Sequence, residues 1–302
     1  MYKFYGISKN GEVINGKHSS RKNGLTIPHF GMELEVDGWR GETDHEAVSE
    51  VENLIADAIN DTDGSGLNVG HDYSLDDGAE FRFAPYTMGL IKKLYADHIW
   101  QRACIMLEGG GFTNPRRTAG IHIHINRGCM HMIERKRFVV GVNMFISKLL
   151  REGYQDILMD FLERDYEQFD NWAEPIMHRF SDDDFQMAIE MLSDDDGYDD
   201  LYSRIYEMRN KFQAVNLMHF LTFELRIFGS TTNARKILAF YEFADTLVSV
   251  FRNPIEDGQI PSWSEFIEEA NRLGHTTLAK EMSKAEAAYS PFAQARFEYW
   301  SK

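Results

Sequence analysis

Four short stretches, far apart in the chain, alternate apolar and ionisable residues with a period of two. Residues 31–36 read Gly-Met-Glu-Leu-Glu-Val, residues 79–83 Ala-Glu-Phe-Arg-Phe, residues 119–126 Ala-Gly-Ile-His-Ile-His-Ile-Asn, and residues 223–227 Phe-Glu-Leu-Arg-Ile. Successive side chains of a strand point to opposite faces, and β-branched and aromatic residues fill one side of each stretch, so each predicts a β-strand with one apolar and one ionisable face. If the four pair in one sheet, a single face collects Glu33, Glu35, Glu80, Arg82, His122, His124, Glu224 and Arg226. An ordinary solvated face would carry Lys, Thr, Ser and Gln, which these stretches lack.

Between the strands the period changes to that of a helix. Val48, Val51, Leu54, Ile55 and Ile59 predict a helix over about 45–60, and Leu90, Ile91, Leu94, Ile99, Ala103 and Leu107 predict one over 88–108, ended by Gly109-Gly110-Gly111. Two or more helices are expected over about 131–170, broken near Glu152-Gly153, and acidic helices continue to about 210. There the aspartate runs at 182–184 and 194–196 read as caps and solvated turns. Residues 229–233 lead into a helix at 234–252, and two helices, at about 263–273 and 276–288, close the chain. Residues 1–28 read as a strand or two with an exposed loop. With no repeat, low-complexity tract or linker, the economical organisation is a single domain over 1–302, with a helical insertion at about 131–210 and closing helices at about 263–288.

At 302 residues, with 43% hydrophobic and 13% aromatic residues, the chain can bury a large core. A net charge of −16 argues against duplex nucleic acid as a partner. Cys104 and Cys129 are too few for a disulfide scaffold. No apolar run is long enough to span a bilayer, and residues 1–6 lack the apolar core of a signal peptide, so a cytoplasmic protein away from membranes is expected. Oligomerisation is open but not indicated.

Residues 61–66, Asp-Thr-Asp-Gly-Ser-Gly, imitate a calcium loop in their oxygen spacing. Turn residues follow where a second helix would be required, so an Asp/Gly turn is the reading adopted. His71, His131 and His219 lack periodic partners and read as incidental.

The order Gly31-x-Glu33-x-Glu35, then Asp72-x-Ser74-Leu75 with Gly78-x-Glu80, then Gly120-x-His122-x-His124, then Asn216 followed by Phe223-Glu224-x-Arg226, resembles the amidoligase family of carboxylate–amine ligases. That group includes glutamine synthetase and glutamate–cysteine ligase. The resemblance runs from Gly31 to about Phe251 and implies an α+β fold like the glutamine synthetase catalytic domain: a curved, mainly antiparallel sheet with a polar concave face, backed by helices. It implies that Glu33, Glu35, Glu80, His122 and Glu224 hold divalent metal, with His124 contacting substrate. Arg226 would steady phosphate, and Arg116, Arg117 and Asn216 would contact nucleotide or carboxylate, Arg116 also taking part in catalysis. The cofactors implied are ATP and Mg2+ or Mn2+; the substrates are a small-molecule or peptide carboxylate and an amine.

The residue types suit that chemistry independently. Hydroxide is a poor leaving group, and an acyl phosphate made from ATP is a better one. Phosphoryl transfer is carried mainly by positioning and by cationic charge. Glutamates suit Mg2+, an imidazole also suits Mn2+, and arginine makes bidentate contacts to phosphate. Two other classes fit the same residues: a metal-dependent hydrolase using His122, His124 and the glutamates without ATP, and a binding or structural protein without turnover. Simple ion pairs along one strand would also account for Glu80/Arg82 and Glu224/Arg226.

Overall fold

The computed structural model describes residues 4–8, 10–16, 25–38, 42–72, 75, 78–114, 119–255 and 259–300. Arg116 and Arg117, and Ser74 of the second motif, lie outside the described residues.

All four alternating stretches form strands of one sheet. The strands are β1 (Phe4–Ile7), β2 (Val13–Gly16), β3 (Phe30–Asp37), β4 (Leu67–Asp72), β5 (Gly78–Tyr86), β6 (Gly120–Asn126), β7 (Val215–Asn216) and β8 (Thr222–Gly229). They run in the order β2-β1-β5-β3-β6-β8-β7, with β4 paired to β5 off that path. Pairing is antiparallel except where Tyr5 meets Tyr86. The protein is therefore a mixed α+β fold built on an eight-stranded, mostly antiparallel sheet, which is uncurled where a curved one was expected.

The helices are α1 (Glu42–Ile59), α2 (Met88–Ala96), α3 (Ile99–Gly109), α4 (Met132–Arg151), α5 (Gln155–Leu162), α6 (Tyr166–Trp172), α7 (Asp182–Met191), α8 (Asp195–Glu207), α9 (Ala234–Phe251), α10 (Trp263–Arg272) and α11 (Thr276–Trp300), and α3, α4 and α9 pack on the apolar side of the sheet. Phe223 meets Phe138 of α4 at 5.3 Å between ring centres, Phe228 stacks on Phe240 of α9 at 4.6 Å, and Phe83 meets Trp100 of α3 at 5.1 Å. Ile121, Ile123 and Ile125 are fully buried among them. Burying this face supplies the main hydrophobic driving force and fixes register, since a one-residue slip would turn the ionisable set inward. Among the described residues no helix is long and apolar enough to cross a membrane.

Two helix expectations need correction. Residues 88–108 form two helices, because the chain turns at Asp97 and at His98, whose φ of 60° is left-handed. The turn drives Trp100 into the core, where its Nε1 donates to Ile91 O at 3.3 Å. Neither Gly nor Pro marks the break, so sequence signals miss it. The last helix runs on to Trp300, past Ser290-Pro291, where the sequence signals a stop.

The aspartate runs do cap helices: Ser181 Oγ accepts from Asp184 N at 3.1 Å, and Asp194 Oδ1 from Gly197 N at 2.8 Å. The calcium-like loop is a turn. Asp61 accepts from Gly66 N at 2.7 Å and from Tyr5 Oη at 3.1 Å, engaging the oxygens a cation would need, and strand β4 follows in place of a second helix.

Candidate active site

Register brings the ionisable residues together. Glu33 lies opposite His122 on one side and Arg82 on the other; Glu35 lies opposite Glu80; Glu224 lies between His124 and Asn216. Between β6 and β8 the register shifts, so that Arg226 and Ile227 together face His122. This β-bulge keeps Leu225 and Phe228 both on the apolar face and leaves Arg226 beside Glu224.

His122 is the hub. Its Nδ1 lies 3.4 Å from both Glu33 Oε2 and Glu224 Oε1, and its Nε2 lies 3.6 Å from Glu35 Oε1. Glu35 also accepts from Gly120 N at 2.6 Å. Glu224, only 1% exposed, accepts from Arg226 Nη1 and Asn216 Nδ2, each at 2.5 Å, and pairs with His219 Nε2 at 2.7 Å. Burial would raise its carboxyl, but the His219 hydrogen bond and the charges of His122, Arg226 and His124 outweigh burial and hold it at about 2. Glu33 is likewise held well below the usual range, against burial, by its contact with His122 and the nearby imidazole of His124.

Glu33, His124 and Glu224 converge further. One ligand atom from each lies within 4.8 Å of the others. His124 Nδ1 pairs with Thr222 Oγ1 at 3.2 Å, which orients the ring. His124 Nε2 is buried without a hydrogen-bond partner, 3.2 Å from Glu33 Oε1. An imidazole nitrogen left open between carboxylates, with its other nitrogen tied, fits a divalent cation.

Glu80 carries the opposite shift. Burial and the neighbouring Glu33 charge push its carboxyl up to about 7, although Arg82 pairs with it on the same strand. A carboxyl raised in the folded state binds its proton more tightly there, so its contribution to stability is complete below 4.5 and is lost as pH rises through about 7. Metal-free protein is therefore expected to melt at lower temperature as pH rises across that window. Glu80→Gln flattens the trend to the balance of His219 and Glu242, also raised, against His29, which burial lowers and which acts in the opposite sense. Melting curves across the window check this; an unchanged slope in Glu80→Gln contradicts it.

The sequence-predicted residues of the four strands thus share one face. Arg82 and Arg226 do form ion pairs along their own strands. Asn216 has its amide engaged by Glu224 and, through Oδ1, by Met218 N at 2.9 Å, so it braces Glu224 and the following loop. His219 is not incidental. Arg127 pins its loop by donating to Leu217 O and Thr222 O at 3.0 Å each, which delivers the imidazole to Glu224.

Arg164 was also missed. It follows α5 in the helical segment between β6 and β7, and its Nη2 donates to Arg226 O at 3.1 Å. The signal lies in Gly120 and Gly229, which face one another across β6 and β8. A Cβ on Gly229 would sit 2.1 Å from Glu163 O, and one on Gly120 would sit 2.6 Å from Arg164 Nη2. The two glycines admit the 162–164 turn onto the sheet. Gly229→Ala is expected to destabilise the protein by about 1–3 kcal/mol, because backbone must move to admit the methyl group; a denaturant midpoint equal to wild type contradicts this packing.

No known family model matches the chain, and no curated protein sequence matches it. Among solved structures, one described as a novel glutamine synthase homolog is similar to this chain with a TM-score of 0.38 at 11% identity, over 90% of this chain and 67% of that one.

Proposed function

We propose that the chain is an ATP- and divalent-metal-dependent ligase that joins a carboxylate to an amine through an acyl phosphate, as the amidoligase-like order of its motifs implies. The observation that carries the reading is the convergence of Glu33, Glu35, Glu80, His122, His124 and Glu224, with Arg226, on one face of one sheet.

Glu33, His124 and Glu224 would hold a cation, with Glu35, Glu80 and His122 beside them. When bound, Mg2+ or Mn2+ neutralises phosphoryl oxygens and orients them. Arg226, whose Nε is buried without a partner, offers a guanidinium edge to a phosphoryl oxygen while Glu224 anchors its other side. A substrate carboxylate oxygen attacks the γ-phosphorus of ATP, the bond to the β–γ bridging oxygen breaks, and ADP leaves. An amine then attacks the acyl carbon, phosphate leaves, and a carboxylate of this face takes the ammonium proton.

The test is ADP release from ATP with Mg2+ or Mn2+ and pooled carboxylates and amines. Turnover that needs both pools supports the ligase. Absence of turnover together with absence of nucleotide and metal binding in thermal shift overturns it. One observation favours a second reading: the mixed imidazole–carboxylate set of Glu33, His124 and Glu224 also suits a metal-dependent hydrolase. Amide cleavage without nucleotide would select that reading.

A further inference from the structure

Arg164 is 8% exposed, and its surroundings do not satisfy it. Its Nε is buried without a partner, and Nη2 donates only to Arg226 O. Among the described residues no carboxylate oxygen lies within 4 Å of the guanidinium. The carboxylate whose charge acts on it most is Glu35, whose oxygens are engaged by Gly120 N and His122. Burial pulls Arg164 down to about 10 against the attraction of Glu35, and the Arg226 charge adds to the fall. A buried charge without a close countercharge costs several kcal/mol, and a chain that keeps one needs a compensating partner.

The fold holds the guanidinium firmly in place. Glu163 is left-handed at a φ of 56°, Arg164 N donates to Met159 O at 3.1 Å, and Lys236 Nζ donates to Asp160 O and Phe161 O at 3.3 and 3.1 Å. The paired glycines of β6 and β8 clear the space it enters, and Gly120 lies on the polar face in line with His122 and His124. Arg226, the neighbouring guanidinium, also has a buried Nε without a partner. Arg226 keeps Glu224 on its Nη1 side and an open Nε, Arg164 has no close countercharge, and the two charges act on one another, so together they leave a net positive charge that an oxyanion complements.

We propose that Arg164 and Arg226 form an oxyanion subsite at the Gly120 end of the polar face, which takes a phosphoryl group or a carboxylate. It rests on the ligase reading for its part in the reaction, but anion binding itself needs neither ATP nor metal. Titration calorimetry on the full chain, without metal, uses inorganic phosphate and pyrophosphate in one arm and succinate and glutamate in the other, against a constant chloride background. Wild type is expected to bind at least one arm saturably, and the arm that binds identifies the source. Arg164→Gln weakens that binding by about tenfold or more, and Arg164→Lys weakens it less, since charge is kept but the fork is lost. Gly120→Ala keeps the charge but pushes Nη2 aside, so it also weakens binding, and it serves if Arg164→Gln does not fold.

Equal affinities in wild type and all folded variants, or no binding of either arm by wild type, overturn the subsite. Anion binding that depends on Arg164 without any ligase turnover keeps the subsite and removes the ligase. Ligase turnover with unchanged kinetics in Arg164→Gln does the reverse.

Discussion

Glu33→Gln is expected to lower metal-dependent ADP release by on the order of a hundredfold or more. Glu33 touches more of the face than its exposure suggests: His122 lies 3.4 Å and His124 3.2 Å from its two oxygens, and its charge raises Glu80. The amide is nearly isosteric, so the strand and its register survive while one anionic ligand is lost. The loss falls on turnover and on metal-dependent stabilisation together. Without metal, Glu33→Gln relieves Glu80 of a neighbouring negative charge, so Glu80 should titrate nearer its ordinary value. Rate measurements over a range of Mn2+ concentrations check the first effect. Activity equal to wild type at every concentration would remove Glu33 from the cation site.

The second large effect is on stability. Glu224→Leu is expected to cost about 3–5 kcal/mol, because it strips Arg226 of its close countercharge and leaves the buried Asn216 amide without its acceptor, while the exposed His219 turns to water. Removing both charges, in Glu224→Leu combined with Arg226→Met, is expected to recover part of that loss, since no uncompensated charge then remains. Denaturant unfolding of wild type, both single variants and the double variant measures the coupling. Strict additivity of the single effects would show that the pair is not coupled.

The strands of the site were legible because their chemistry is written at i and i+2, and the alternation at Glu33/Glu35 and His122/His124 states both the secondary structure and the shared face. That the four strands are neighbours follows from burying their apolar backs in one shared core, and this much a sequence implies. Their order and register do not follow, so Glu224 facing His124, and the bulge at Arg226, emerge only in three dimensions. His219 escaped because it sits in a loop, where no period announces a partner, and its role depends on Arg127 pinning that loop. Arg164 escaped because it belongs to a helical segment and reaches the sheet only through two glycines some hundred residues apart, whose pairing is a matter of register. The turn at His98 is a left-handed residue with none of the usual punctuation, and Trp100 is buried just beyond it.

In the proposed reading, this polar face holds a divalent cation through Glu33, His124 and Glu224. Electron spin-echo spectroscopy of Mn2+ bound to the full chain tests it most directly, since a coordinated imidazole imprints nitrogen modulation on the manganese signal. A single class of bound Mn2+ is expected, with nitrogen modulation that disappears in His124→Ala. Failure of wild type to bind Mn2+, or the same nitrogen modulation in His124→Ala, would contradict it.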